Sequence, residues 1–192
     1  MRIRPHAVMV LALVLAILNG LSQRAFAYYY LGNGYWFGQT TVWIHNYGNF
    51  AFGYDIAAYN AQSSWTANTQ VYLADTSPDY EDIAFVSVDY GATGWYGYGL
   101  VCTTSGCGSG HYNDQYVYAE ARLNRYSSYG IDGWSGTKKK AAYAHEIGHT
   151  LSLAHNTGCG SCLMYPDIGT FYDVYGTSGV TSDEINGIND RY

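Results

Sequence analysis

The segment HEIGHTLSLAH, residues 145–155, decides how the rest of the chain is read. On a helix, His145 and His149 stand four residues apart and share one face, one turn apart, where both imidazoles reach a single ion. Glu146 is then held beside that ion without ligating it, placed to take a proton from a water there. His155 lies six residues beyond His149, too far for the face of a straight helix. The chain must therefore turn back after about Leu151 to deliver a third nitrogen. Three nitrogen ligands leave the fourth position of a tetrahedral zinc open, and that openness separates catalytic from structural zinc sites.

Downstream, CLMYP at 162–166 places Met164 nine residues after His155, and the chain's other two methionines are Met1 and Met9. Histidine spacing and methionine together resemble the metzincin signature, HExxHxxGxxH followed by a Met-turn. The match is most similar to the matrixin branch, because Tyr165 directly follows the methionine. Astacin-like and serralysin-like relatives carry an additional tyrosine ligand one position later. That position is Pro166 here, so no tyrosine ligand is expected. The resemblance implies a zinc endopeptidase acting on protein or peptide substrates. His145, His149 and His155 would be its metal ligands, Glu146 its general base and Met164 the apolar base beneath the metal. It also implies an edge strand to which extended substrate adds by backbone pairing, with 95–101 as the candidate. One position departs from the pattern: the family's glycine between the second and third histidines is Ser152. If that turn needs positive φ, serine is strained there by ~1 kcal/mol. A competing gluzincin-type reading replaces His155 with a carboxylate from Asp167, Asp173 or Glu184, but it leaves His155 and Met164 unexplained.

The first 27 residues read as a secretory signal. Arg2 and Arg4 precede an apolar run over 7–18, and Ala25-Phe26-Ala27 forms an A-x-A cleavage site. The run is shorter than the ~20 residues a membrane span needs. Removing the segment leaves 192 − 27 = 165 residues, enough for one catalytic domain over 28–192. It also removes three of nine basic residues, so the mature charge is 6 − 15 = −9. Such an acidic domain has no electrostatic footprint for nucleic acid or anionic membrane, and a secreted, extracellular monomer is expected. Lys138, Lys139 and Lys140 read as the solvated first turn of a helix rather than a binding patch.

All four cysteines fall in the exported part, which argues for two disulfides. Three pairings are open. The local ones, Cys102–Cys107 and Cys159–Cys162, are favoured because each pair sits in one short loop, where a crosslink contributes ~2 kcal/mol. Export and the lack of a partner pair disfavour a redox or second-zinc role for Cys159 and Cys162.

Hydrophobic patterning predicts strands over 40–45, 70–75, 83–89, 95–101 and 116–123, with 83–89 continuous enough to be central. Tyr54, Ala58, Ala61 and Trp65 recur at helical spacing. The site helix is expected over 137–151, and Thr181 with Glu184 forms a capping box for a last helix over 182–189. The fold class is α+β, similar to a metzincin catalytic domain: a mixed, twisted, five-stranded sheet with a site helix, a Met-turn and a C-terminal helix. The alternative function is a secreted, aromatic-rich binding domain with a degenerate zinc site, suggested by Tyr28–Tyr30, Tyr35 and Trp36. Calcium enters only as a possibility, through Asp75, Asp79, Glu81 and Asp82, which lack EF-hand spacing. His111 and Asp114 are a further candidate metal pair, and a surface loop is the plainer reading of both.

Overall fold

The apolar run Ile83–Val88 becomes β3, with Ile83, Ala84, Phe85 and Ser87 buried. A strand buried on both faces needs neighbours along both edges. In the computed structural model, which describes residues 28–48 and 50–192, these are β1 (Thr41–Asn46) and β6 (Tyr118–Asn124), each parallel to β3. β1 also pairs in parallel with β2 (Tyr72–Asp75). Parallel neighbours require a crossover, and α1 (Tyr54–Asn68) supplies it. β4 (Gly97–Thr103) runs antiparallel to β6 and folds back into β5 (Gly106–Cys107). The result is a mixed, six-stranded sheet in the order β2-β1-β3-β6-β4-β5, within an α+β architecture.

Five strands were expected and six are found. The sixth is the two-residue β5, in which Cys107 faces Cys102 across the ladder. Two residues carry no alternation for a sequence pattern to reveal.

Against one face of the sheet lie α1 and α2 (Gly136–Thr150). Tyr54, Ala57, Ala58, Ala61 and Trp65 are buried along α1, and the Trp65 indole donates to Ala144 O of α2 at 3.0 Å. Each large apolar side chain buried this way stabilises the fold by ~2 kcal/mol. The last helix, α3 (Ser182–Arg191), carries the expected capping box in full. An N-terminal stretch pairs with the segment after α2: Tyr30 bridges Leu153, Leu31 N–H donates to Ser152 O, and Ala154 N–H donates to Tyr29 O. No helix among the described residues is long and apolar enough to cross a membrane. The expected leader, 1–27, lies outside the described residues.

The lysine run corrects an expectation. Lys139 is not solvated: it is buried at 3 % exposure, with its ammonium donating to Phe52 O and Asp132 O, both at 2.8 Å. Helix periodicity turns it inward between Lys138, which pairs with Asp173, and Lys140.

Candidate metal centre

Ser135 starts α2 by accepting the Lys138 N–H on its hydroxyl at 3.1 Å. At the other end Ser152 adopts φ 80°, the left-handed conformation that stops the helix. Ser152 N–H bonds His149 O and Leu153 N–H bonds Gly148 O, both at 2.9 Å, which is the Schellman pattern. The turn thus takes positive φ, so the condition posed for Ser152 is met and a serine there costs ~1 kcal/mol. Its consequence is direction: the chain reverses and carries His155 back over the helix end.

Three ring nitrogens converge. His155 Nε2 lies 3.1 Å from His145 Nε2 and 3.1 Å from His149 Nε2. Tetrahedral zinc with Zn–N bonds of ~2.0–2.1 Å places its ligand nitrogens ~3.3 Å apart, so the spacing fits the ion. The opposite nitrogens are committed elsewhere. His145 Nδ1 donates to Leu163 O at 2.7 Å and His149 Nδ1 to Leu153 O at 2.8 Å. These bonds fix the tautomers and leave Nε2 of both rings as bare lone pairs aimed at the common point. Burial, then the neighbouring imidazole, pulls His145 well below its ordinary pKa and His149 down to about 4, while burial lowers His155. All three are therefore neutral near pH 7, the form a metal requires.

Glu146 lines the same cleft without joining the nitrogen cluster. Burial pushes its carboxyl up to about 8, against the opposing effect of the Gly99 N–H that it accepts. Backbone approach this close needs small residues. A Cβ on Gly97 would stand 2.2 Å from Glu146 Oε1, and one on Gly99 would stand 2.3 Å from His149 Cβ. The cleft, about 480 Å³, is walled by 94–99 of the β4 side, Tyr112, Ala142, Ile168 and Phe171. Asn124 N–H bonds Tyr96 O on the β6 side. By alternation, Gly97 and Gly99 turn their main-chain groups the other way, and β5 pairs only with Cys102 and Thr103.

Met164 is buried at 2 % exposure, its sulfur 2.4 Å from where a Gly148 Cβ would lie, so that glycine admits it against α2 between the two helical ligands. Phe171, in a short π-helical segment over Gly169–Val174, stacks parallel to the His145 ring at 5.5 Å between centroids. Sequence reasoning missed Phe171, Gly97, Gly99 and the anchoring carbonyls of Leu153 and Leu163. The glycine alternation in GYG at 97–99 was the one available signal.

The alternative carboxylate ligands are outside the histidine cluster, although Asp167 lines the same cleft. Asp167 caps the N–H groups of Gly169 and Thr170, Asp173 pairs with Lys138, and Glu184 binds Met164 N–H and Thr181. Cys102–Cys107 and Cys159–Cys162 form the two local disulfides. Cys162 also approaches Asp183 and Glu184, but its sulfur is bonded to Cys159 and the Glu184 oxygens are taken by hydrogen bonds, so that trio is no ligand set. In the acidic loop Asp75 accepts from Gln62, Glu81 from Tyr47 and Asp82 from Trp43 N–H, each serving a separate contact. His111 and Asp114 share Ser105, whose hydroxyl lies 3.1 Å from His111 Nδ1 and 3.4 Å from Asp114 Oδ2. Of the aromatics behind the binding-domain alternative, Trp36 is buried and Tyr30 bonds Gly187 O, whereas Tyr29 is exposed. No protein-family model matches the chain, and no curated protein matches its sequence.

Proposed function

We propose that this protein is a secreted zinc-dependent endopeptidase of metzincin type, closest in pattern to the matrixins. The observation that carries the reading is the pair of bare Nε2 lone pairs on His145 and His149, with His155 Nε2 at 3.1 Å from both and Glu146 in the same cleft. His145, His149 and His155 would hold the ion. Bound there, zinc supplies Lewis acidity toward water and a substrate carbonyl oxygen. Glu146 takes the proton of the attacking water on a carboxylate oxygen and returns it to the leaving amine. Burial favours the protonated form of Glu146, and a divalent cation held by the histidines would favour the carboxylate that accepts the proton. The outward main-chain groups of Gly97 and the Gly99 carbonyl, with the Gly99 N–H already given to Glu146, would offer an extended peptide a strand edge that positions the scissile bond along the cleft. Phe171 and Ala142 keep the cleft wall apolar next to His145 and exclude water from it.

The test is hydrolysis of a denatured protein substrate by protein of measured zinc content, with Glu146→Ala alongside. The variant should retain zinc and lose about 10³-fold in rate, since only the base is removed. Zinc-loaded wild type without turnover, or a Glu146→Ala variant of undiminished rate, sinks the assignment and leaves the non-enzymatic binding domain.

A further inference from the structure

Two of the three imidazoles are anchored by one device, a peptide unit whose carbonyl accepts the ring N–H and whose own N–H is bonded on its far side. For His149 the unit joins Leu153 to Ala154. Leu153 O accepts from Nδ1 at 2.8 Å, and Ala154 N–H donates to Tyr29 O at 2.8 Å. That chain ends on a neutral carbonyl. For His145 the unit joins Leu163 to Met164. Leu163 O accepts from Nδ1 at 2.7 Å, and Met164 N–H donates to Glu184 Oε1 at 3.0 Å. This chain ends on a carboxylate.

The second ending is costly by itself. Glu184 is fully buried, and its other oxygen takes the Thr181 N–H at 2.8 Å and the Thr181 hydroxyl at 2.6 Å. Among the described residues, the ion pairs all lie elsewhere. A buried anion held only by neutral donors is expensive unless a cation is near. The capping box accounts for the bonds to Thr181, but it requires neither complete burial nor the Met164 bond.

We propose that Glu184 is the outer positioning residue of the metal site, acting through the Leu163–Met164 peptide and serving as counter-charge to a divalent cation held by the three neutral histidines. Its negative charge polarises that peptide, strengthens Leu163 O as an acceptor and so makes His145 a stronger electron donor to the ion than His149. The inference rests on the zinc reading of the site.

Glu184→Gln in the full chain keeps the shape and removes the charge. Zinc dissociation constants come from chelator competition, and thermal midpoints are read with and without zinc for both proteins. The variant should bind zinc about 10-fold more weakly, and the zinc-induced rise in its midpoint should shrink. The visible spectrum of the cobalt-loaded protein should shift with it. Thr181→Val, which breaks the capping box and keeps the charge, should lower both midpoints and leave the dissociation constant within about twofold. An unchanged dissociation constant in Glu184→Gln, with equal falls in both midpoints, overturns the proposal and reduces Glu184 to a helix cap. A second measurement needs no variant: in zinc-loaded wild type the Nδ1 proton of His145 should resonate downfield of that of His149, and equal or reversed shifts overturn the proposal. Wild type that binds no zinc overturns the underlying reading as well.

Discussion

The two ends of helix α2 each carry a polar cluster, and the clusters are built on opposite logic. At the N-terminal end donors and acceptors are matched within the cluster. Arg125 grips Asp132 through two bonds of 2.9 Å, the Tyr54 hydroxyl adds a third at 2.6 Å, and Lys139 satisfies two carbonyls. At the C-terminal end the donors of His145 and His149 are spent outward on main-chain carbonyls, and lone pairs face one another at the centre. A cluster matched within itself stabilises a fold, whereas one in which the Nε2 lone pairs of His145 and His149 both face His155 Nε2 offers a site for a cation.

The sharpest way to break this contrast is to remove a ligand. His155→Ala should weaken zinc binding by at least ~100-fold, beyond the range typical of outer-shell partners. Asp167→Ala and Asp173→Ala should leave it within about twofold. Zinc loss in either carboxylate variant, with His155→Ala unaffected, would show that the ligand set has been misassigned.

Acidification separates the two ends by window. His149 has its pKa lowered from 6.5 to about 4 by burial and by His155, so the unfolded chain binds the extra proton first as pH falls. Stability of the zinc-free protein from this group is full above ~6.5 and is lost between there and about 4. Asp132 is held below its ordinary 3.8 by Arg125, so its contribution persists through that window and is lost only under stronger acid. Thermal melts of zinc-free protein between pH 7.5 and 3 should therefore show a first decline starting near 6.5. A midpoint flat down to pH 4 would remove the burial of the imidazoles from the account.

A smaller effect tests the other end. Asp132→Ala leaves the Tyr54 hydroxyl and the partly exposed Arg125 guanidinium without their acceptor and should cost ~1 kcal/mol by denaturant unfolding. Zinc affinity should stay within about twofold, because the cluster lies at the far end of the helix. A change in zinc binding comparable to that of His155→Ala would mean that the two ends are coupled.

The least change is expected at the turn that closes the metal end. Ser152→Gly relieves the φ of 80° and should stabilise the fold by up to ~1 kcal/mol, partly offset by the greater freedom of glycine in the unfolded chain. A loss of more than that on chemical unfolding would assign the serine a contact that outweighs its backbone strain.

Much of this was readable before any coordinates. His145, Glu146 and His149 declare themselves because the helical period is local, and His155 follows from counting residues. That the chain turns back after about Leu151 follows from the same count, whereas position 152 stood out only through the family's glycine there. The central place of the 83–88 run was equally legible, because unbroken apolarity leaves no face for water. Lys139 was misread for the complementary reason. A charge run looks solvated until helix phase and a neighbouring loop bring carbonyls to one of its members.

By itself, then, the sequence determined which side chains carry ligand chemistry, at what spacing, and on which kind of element. What only the tertiary structure decided is how those side chains are aimed. The acceptor on His145 lies 18 residues away at Leu163, and the carboxylate behind it lies 20 residues beyond Met164, at Glu184. Main-chain carbonyls are the same at every residue and leave no mark in a sequence. Their selection depends on the turn at Leu163–Met164, the N-terminal stretch at Tyr29–Leu31 and α3 packing around one helix end, which is a property of the fold.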